Sequence, residues 1–424
     1  MYNMLFYGFL QGKILIYTKE IAVPEWMQRA ETARLMAVLN AGSHSPAALF
    51  VGGCVRNTLL NRPVGDIDIA TILTPDVVIG KLQAAGIKVV PTGIDHGTVT
   101  AIVDGQPFEI TTLRKDVETD GRHAVISFTE DWAEDAQRRD FTMNTLLADE
   151  QGRIYDPTGR GLSDLDAQHV IFVGDTAQRI AEDYLRILRF FRFHAYYGMG
   201  TPDEAALVAC RTAADKISTL SRERITQEFL KILALDVPTP ILSLMFENGV
   251  LKDLPATSYN QSVLEDLCGL QFRYESDGNS VLARLAVLAN FEKAQLKSWD
   301  NLLILSNAQR SYVEALLNLS GNLSSVTEKL GKALIYKYGW STVMQSIFLV
   351  WARSGSPGDP ELIIHLRTWR EPSLPVSGHD LKALGVEEGP EMGRILSDLE
   401  KWWIDNDFEP DHDSCLEQIK IYRA

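Results

Sequence analysis

Between Phe50 and Thr71 the chain reads FVGGCVRNTLLNRPVGDIDIAT. Asp66 and Asp68 are spaced by one residue in an apolar run with Ile67, Ile69 and Ala70. Alternate side chains of a strand share a face, so this spacing predicts two carboxylates pointing the same way. Two hard oxygen ligands on one face suit Mg2+, which takes one or two carboxylates plus substrate phosphates. Gly52 and Gly53 leave the backbone bare, so amide N–H groups can approach a phosphate. Arg56 adds a cation. Taken singly, Asp-x-Asp is common on solvated strand edges and Gly-Gly is often a turn. In this order, with a strand on each side, they are the parts of a metal-dependent phosphoryl-transfer site. Glu109, in the later run FEITTLR, is either a third carboxylate for that site or a solvated strand residue.

A second constellation lies in AEDYLRILRFFRF. Asp183 and Arg186 are three apart, which puts them on one face of a continuous helix, and Arg189 and Arg192 continue the stripe. One reading is an intrahelical ion pair worth a few tenths of a kcal/mol. The other is a reader of base edges. Cytosine and adenine each offer an amino donor beside a ring-nitrogen acceptor, whereas uracil and guanine offer the reverse order. An acceptor next to a donor therefore accepts C and A and leaves U and G mismatched, which is costly when buried.

These residues need a scaffold. The chain has 424 residues, 46% hydrophobic and 23% charged, which suits a globular protein of two to four domains at roughly 100–200 residues each. Residues 25–42 predict a helix. Residues 48–114 alternate short β-rich runs with polar breaks, and Asp104-Gly105 between two apolar runs predicts a hairpin. RKDVETDGRHAVISFTEDWAEDAQ reads as a long polar connection. From Asp175 onward, apolar residues recur at three and four, so helices dominate. The fold class is α+β, a mixed-sheet head followed by an all-α remainder. No apolar run reaches the length of a membrane span, and MYNMLFYGFLQGKILIY lacks the features of a signal peptide. Cys54, Cys210, Cys268 and Cys415 lie far apart without metal spacing, as reduced cytoplasmic thiols do. His96 and Thr98 read as local structure. A net charge of -15 argues against general nucleic-acid binding, but RILRFFRF and RRD are local basic spots that permit one basic cleft.

GGCVRN…GDIDIAT, HGTVTAIVDGQPFEITTLR, RRDFTMNTL, DPTGRGLSDL, AEDYLRILRFFRF and SRERITQEFLKIL occur in this order. Together they resemble the class II tRNA nucleotidyltransferases, which include CCA-adding, CC-adding and A-adding enzymes and bacterial poly(A) polymerases. The resemblance is close over about residues 45–250. It implies an N-terminal extension (1–24), a catalytic head (25–160), and a helical neck (161–235), body (236–350) and tail (351–424). Asp66 and Asp68 match the metal-binding, catalytic carboxylates. Gly52, Gly53 and Arg56 match the triphosphate corner. Arg138, Arg139 and Asp140 match the motif for phosphate and ribose. Asp183 and Arg186 match the pair that selects C and A, Arg189 and Arg192 match further nucleotide-binding arginines, and SRERITQEFLKIL matches a supporting neck helix. Two departures stand out: Asn57 replaces the family's usual Asp, and TMNTL replaces a TINAM-like run. The implied reaction is template-independent addition of C, C and A to the tRNA 3′ end from CTP and ATP, with Mg2+ as cofactor, no membrane partner and a cytoplasmic location. The intact connection after the sheet favours the full programme over CC addition. The alternatives are an A-adding enzyme or poly(A) polymerase, or a non-enzymatic RNA-binding module that kept the fold.

Overall fold

The computed structural model describes residues 15–120, 123–250, 252, 259–274 and 280–423. Most of the N-terminal run MYNMLFYGFLQGKILIY lies outside them. The chain forms two compact units: one reaches to Glu228 and takes in Leu244–Val250, and the other comprises Phe229–Ser243 and the chain from Leu251.

The first unit is built on an eight-stranded mixed sheet. Its strands are β1 (Tyr17–Glu20), β2 (Ala48–Val51), β3 (Asp68–Thr71), β4 (Lys88–Gly93), β5 (Thr98–Val103), β6 (Gln106–Thr112), β9 (Leu147–Ala148) and β10 (Arg153–Tyr155), in the order β1-β10-β9-β2-β3-β6-β5-β4. β3 and β6 run parallel, and the other neighbours pair antiparallel. β2 is buried at every position, as expected of a central strand with both faces covered. β5 alternates buried and half-buried residues. The expected hairpin forms between β5 and β6, with Asp104 and Gly105 at φ 49° and 87°, the two positive values a tight two-residue turn requires. The extension is not wholly apart from the head, because β1 joins the sheet as an edge strand on β10.

Helices α1 (Glu25–Gln28), α2 (Ala30–Asn40), α3 (Gly53–Leu59) and α4 (Pro75–Ala84) accompany the sheet. The single helix expected over 25–42 is broken at Arg29, whose ψ of 141° is extended. The connection read as a loop is instead a two-stranded ribbon, β7 (Arg114–Asp120) with β8 (His123–Phe128), registered Arg114↔Phe128 through Asp120↔His123. Its polar residues carry no strand signal. Then follow α5 (Trp132–Gln137), α6 (Gly161–Asp166), α7 (Thr176–Glu182), α8 (Leu185–Tyr197), α9 (Glu204–Ala213) and α10 (Arg222–Leu233), whose last residues belong to the second unit.

Gly52 joins β2 to α3 at φ 72°, ψ -122°, a conformation that a side chain strains severely. Gly52→Ala should cost about 1–3 kcal/mol by this strain, read as a lower melting temperature. A Cβ there would meet nothing closer than 3.8 Å, so an unchanged melting temperature would mean the turn relaxes at no cost.

The second unit is helical, from Gln261–Arg273 to His412–Arg423, with Leu381, Leu399, Trp403 and Ile419 in a core near the C-terminus. Its Arg284 is 6% exposed and donates to the carbonyls of Leu233 and Leu235 and to Gln271 Oε1 at 2.8 Å, so a buried cation is satisfied by neutral acceptors. All four cysteines are free and buried. Among the described residues no helix is long and apolar enough to cross a membrane.

Candidate active site

α3 starts at the end of β2, so Gly53 presents the first amide of a helix, while the Gly52 amide donates to the Leu146 carbonyl at 3.3 Å. β3 begins beside it and carries Asp68. Gly52, Gly53, Arg56, Asp68, Arg138, Arg139, Asp140, Asp183, Arg186 and Arg189 line one cavity of ≈ 370 Å³, with Asn144 and Phe193. Residues separated by more than a hundred positions thus converge within the first unit. A larger groove, ≈ 830 Å³, runs between α7 and α9, but its lining is mostly apolar and contains none of the residues chosen for chemistry.

The carboxylates differ from expectation in one respect. Asp66 is exposed in a bend before β3, so the two aspartates do not share one strand. Glu109 supplies the strand neighbour instead, because Asp68 and Glu109 are partners in the parallel β3–β6 register. Burial pushes the Asp68 carboxyl above its ordinary value; the charges of Glu109 and Asp66 push the same way, and Arg139 opposes them. A carboxylate raised by its acidic neighbours is a site where a cation relieves repulsion, so these residues fit a divalent metal. Among the described residues no three His, Cys, Asp or Glu side chains form a ready-made metal cluster.

The cations are held by a lattice of acids. Arg138 and Arg139 both pair with Asp135, at 2.6 and 2.9 Å. Asp140 is a hub: Oδ1 accepts from Asn144 Nδ2 at 2.9 Å and Oδ2 accepts from Arg189 Nε at 2.8 Å. Burial alone would raise both carboxyls; Arg139 and Arg138 at Asp135, and Arg189 at Asp140, bring them below 3.8. The stability they supply is therefore present above pH 3.8 and is lost as pH falls through their folded values. Melting temperature should drop steeply below that pH, and Asp135→Asn should flatten the drop; a wild-type profile that stays level there contradicts the pairing.

The base-reading pair is also placed differently. α7 ends at Glu182 and α8 begins at Leu185, with Asp183 extended between them at φ -155°, ψ 105°. Asp183 and Arg186 therefore do not share the face of one helix. Asp183 Oδ1 caps α8 through Leu185 N at 3.1 Å, and Oδ2 accepts from Arg224 at 2.7 Å. Arg186 donates to Glu182 at 2.7 Å and to the carbonyls of Arg179 and Arg138 at 2.7 and 2.9 Å. Neither the simple ion pair nor the simple stripe is what forms. Each member is fixed by other partners, and both face the cavity.

Arg192 is absent from the cavity lining and pairs with Glu228 at 2.7 Å. Sequence reasoning missed Arg224, Glu228, Asp135 and Asn144 as individual residues. Arg224 and Glu228 are four apart in SRERITQEF, so one helical face was a signal, and both touch the site. Asn144 was concealed in TMNTL, where a buried amide looks like packing.

Similarities to known proteins place this head and its cavity among the nucleotidyltransferases. Residues 48–171 match the family described as "Poly A polymerase head domain", and residues 201–260 match "Probable RNA and SrmB- binding site of polymerase A". CCA tRNA nucleotidyltransferase 1, mitochondrial, of Danio rerio is 33% identical over 87% of this chain and 86% of its own. The CCA-adding enzyme of Anoxybacillus flavithermus is 33% identical over 84% and 89%. The crystal structure of the Bacillus stearothermophilus CCA-adding enzyme in complex with CTP superposes with TM-score 0.73 at 25% identity, over 93% of this chain and 98% of that one. The chain belongs to the family of CCA-adding tRNA nucleotidyltransferases. Enzymes of this class are generally metal dependent.

Proposed function

We propose that this enzyme adds C, C and A to the 3′ end of tRNA from CTP and ATP, without a nucleic-acid template, and releases pyrophosphate. The observation that carries the reading is the meeting of the glycine corner, Asp68 and the Asp183–Arg186 pair in one cavity. The oxygen of the 3′-hydroxyl attacks the α-phosphorus and gives up its proton to solvent, the new oxygen–phosphorus bond forms, and the bond from the α-phosphorus to the oxygen shared with the β-phosphate breaks, so that pyrophosphate leaves with that oxygen. The Gly52–Gly53 corner, through the Gly53 amide, with Arg56 and Arg139, binds the triphosphate and offsets the charge that develops on it, while the Gly52 amide stays bonded to the Leu146 carbonyl. Arg138 and Asp140 orient phosphate and ribose, with Arg189 and Asn144 holding Asp140 in place. Arg189 also lines the cavity beside the nucleotide; Arg192 acts behind it, through Glu228. Asp183 and Arg186 read the base edge. Asp66 and Asp68, with Glu109 beside them, would hold Mg2+, which supplies Lewis-acid activation of the hydroxyl and the leaving group.

We read the first unit as head and most of the neck, and the second as most of the body and the tail. The free, buried cysteines support a cytoplasmic location. An A-adding enzyme would use ATP alone, and a poly(A) polymerase would extend without stopping. Incorporation of separately labelled CTP and ATP into tRNA lacking its 3′ end tests the reading: use of CTP supports it, and use of ATP alone overturns it.

A further inference from the structure

One face of α8 serves several parts of the cavity. Arg186, Arg189, Phe193 and Tyr197 stand three, four and four residues apart, so they form one row along the helix. Arg186, Arg189 and Phe193 line the cavity, whereas Tyr197, the last residue of α8, is absent from the lining. What Tyr197 touches is Arg56. The Arg56 guanidinium donates to the Tyr197 hydroxyl at 2.6 Å, and that hydroxyl donates onward to Asn57 Oδ1 at 3.2 Å. The ring of Tyr197 lies 4.1 Å from the guanidinium carbon and that of Phe193 5.2 Å. Arg56 also donates to Asn144 Oδ1 at 2.5 Å, and to Asn57 Oδ1 from Nε at 3.2 Å and from Nη2 at 3.0 Å. Four of its five N–H groups thus have acceptors among the described residues. Asn144 in turn donates to Asp140, which accepts from Arg189. The row on α8 therefore reaches Arg56 twice, from Arg189 through Asp140 and Asn144, and from Tyr197 directly.

We infer that Tyr197 is a positioning residue that holds Arg56 in place for the triphosphate. A guanidinium is a planar fork, and its donors keep their directions when its plane is held. Tyr197 supplies an acceptor at the edge of that plane and a ring against it. Arg56 and Tyr197 are each 7% exposed, so water replaces a lost partner poorly. Without the hydroxyl, one arm of the fork is free to turn, and the substrate must order it at the expense of binding. This rests on the nucleotidyltransferase reading of the cavity.

The test is Tyr197→Phe in the full chain, which keeps the ring and removes the hydroxyl. KM is measured for CTP on tRNA lacking CCA and for ATP on tRNA ending in CC, and the thermal shift induced by pyrophosphate with Mg2+ is read beside it. The triphosphate is common to both nucleotides, so KM should rise about tenfold for CTP and ATP alike, and the pyrophosphate shift should shrink. The ratio of kcat/KM for CTP over UTP should keep its wild-type value, because the base-reading end of α8 is untouched. A purely structural defect removes active protein, which lowers kcat and leaves KM where it was. In an Arg56→Lys background the fork is gone, and Tyr197→Phe should then raise KM by no more than about twofold. A wild-type KM in Tyr197→Phe, an equal rise with and without the Arg56 fork, or a changed CTP/UTP ratio overturns this inference, and CTP incorporation by the wild type leaves the reading of the cavity standing. A wild-type protein that neither incorporates CTP nor responds to pyrophosphate overturns both.

Discussion

Asp68→Asn should lower kcat for CTP incorporation on the order of 10³-fold without lowering the melting temperature at pH 7, since removing one metal-holding carboxylate forfeits several kcal/mol of transition-state stabilisation, at 1.36 kcal/mol per factor of ten. Stability moves the other way for a reason visible in the fold. Burial, Glu109 and Asp66 all penalise the ionised form of Asp68, and Arg139 offsets them only in part. A carboxyl raised in the folded state loses stability as pH rises from 3.8 through its folded value, so at pH 7 it is a burden on the fold. The isosteric amide removes that burden. Activity lost while stability is kept or gained marks a functional carboxylate. A variant that melts lower and retains its kcat would make Asp68 a structural residue.

Asp183→Ala should reduce the preference for CTP over UTP, measured as the ratio of kcat/KM values, by about two orders of magnitude. A site built to hydrogen-bond its substrate discriminates strongly because the wrong partner leaves buried polar groups unpaired. Leu185 N and Arg224 fix the carboxylate of Asp183, one on each oxygen. A carboxylate has about four lone-pair sites, so it can still accept from an exocyclic amino group. Arg224→Ala should then produce part of the same loss, since it frees the carboxylate to rotate while leaving the α8 cap intact. An unchanged ratio in Asp183→Ala would reduce Asp183 to a helix cap.

Local chemistry carried the reading a long way. Ala48–Val51 is apolar at every position and is the buried strand it resembles; Asp104-Gly105 is the turn its two residues favour. The site residues were legible because phosphate chemistry demands unusual types: bare glycines, paired carboxylates and clustered arginines. Less legible were features set by tertiary partners. Nothing in AEDYLRIL breaks a helical period, yet Asp183 leaves the helix, where its side chain both accepts from the first amide of α8 and meets Arg224, 41 residues further on. The β7–β8 ribbon pairs within itself and with no other strand of the described residues, so the polar sequence carried no core-facing pattern by which to find it. Asp66 kept its place in the motif but lost the strand, which begins only at Asp68. Asp135 and Glu228 look like ordinary helix-surface acids in sequence. They are buried because the arginines of the site need counter-charges.

The most direct test of the account uses three tRNA transcripts, ending before CCA, after C and after CC. Each is incubated with the protein, Mg2+ and either labelled CTP or labelled ATP, and Asp68→Asn serves as the blank. The account predicts that CTP extends the first by two residues and the second by one, that ATP then extends the third by one, and that addition stops. Use of ATP alone, growth beyond one A, or extension by the Asp68→Asn blank at the wild-type rate would contradict it.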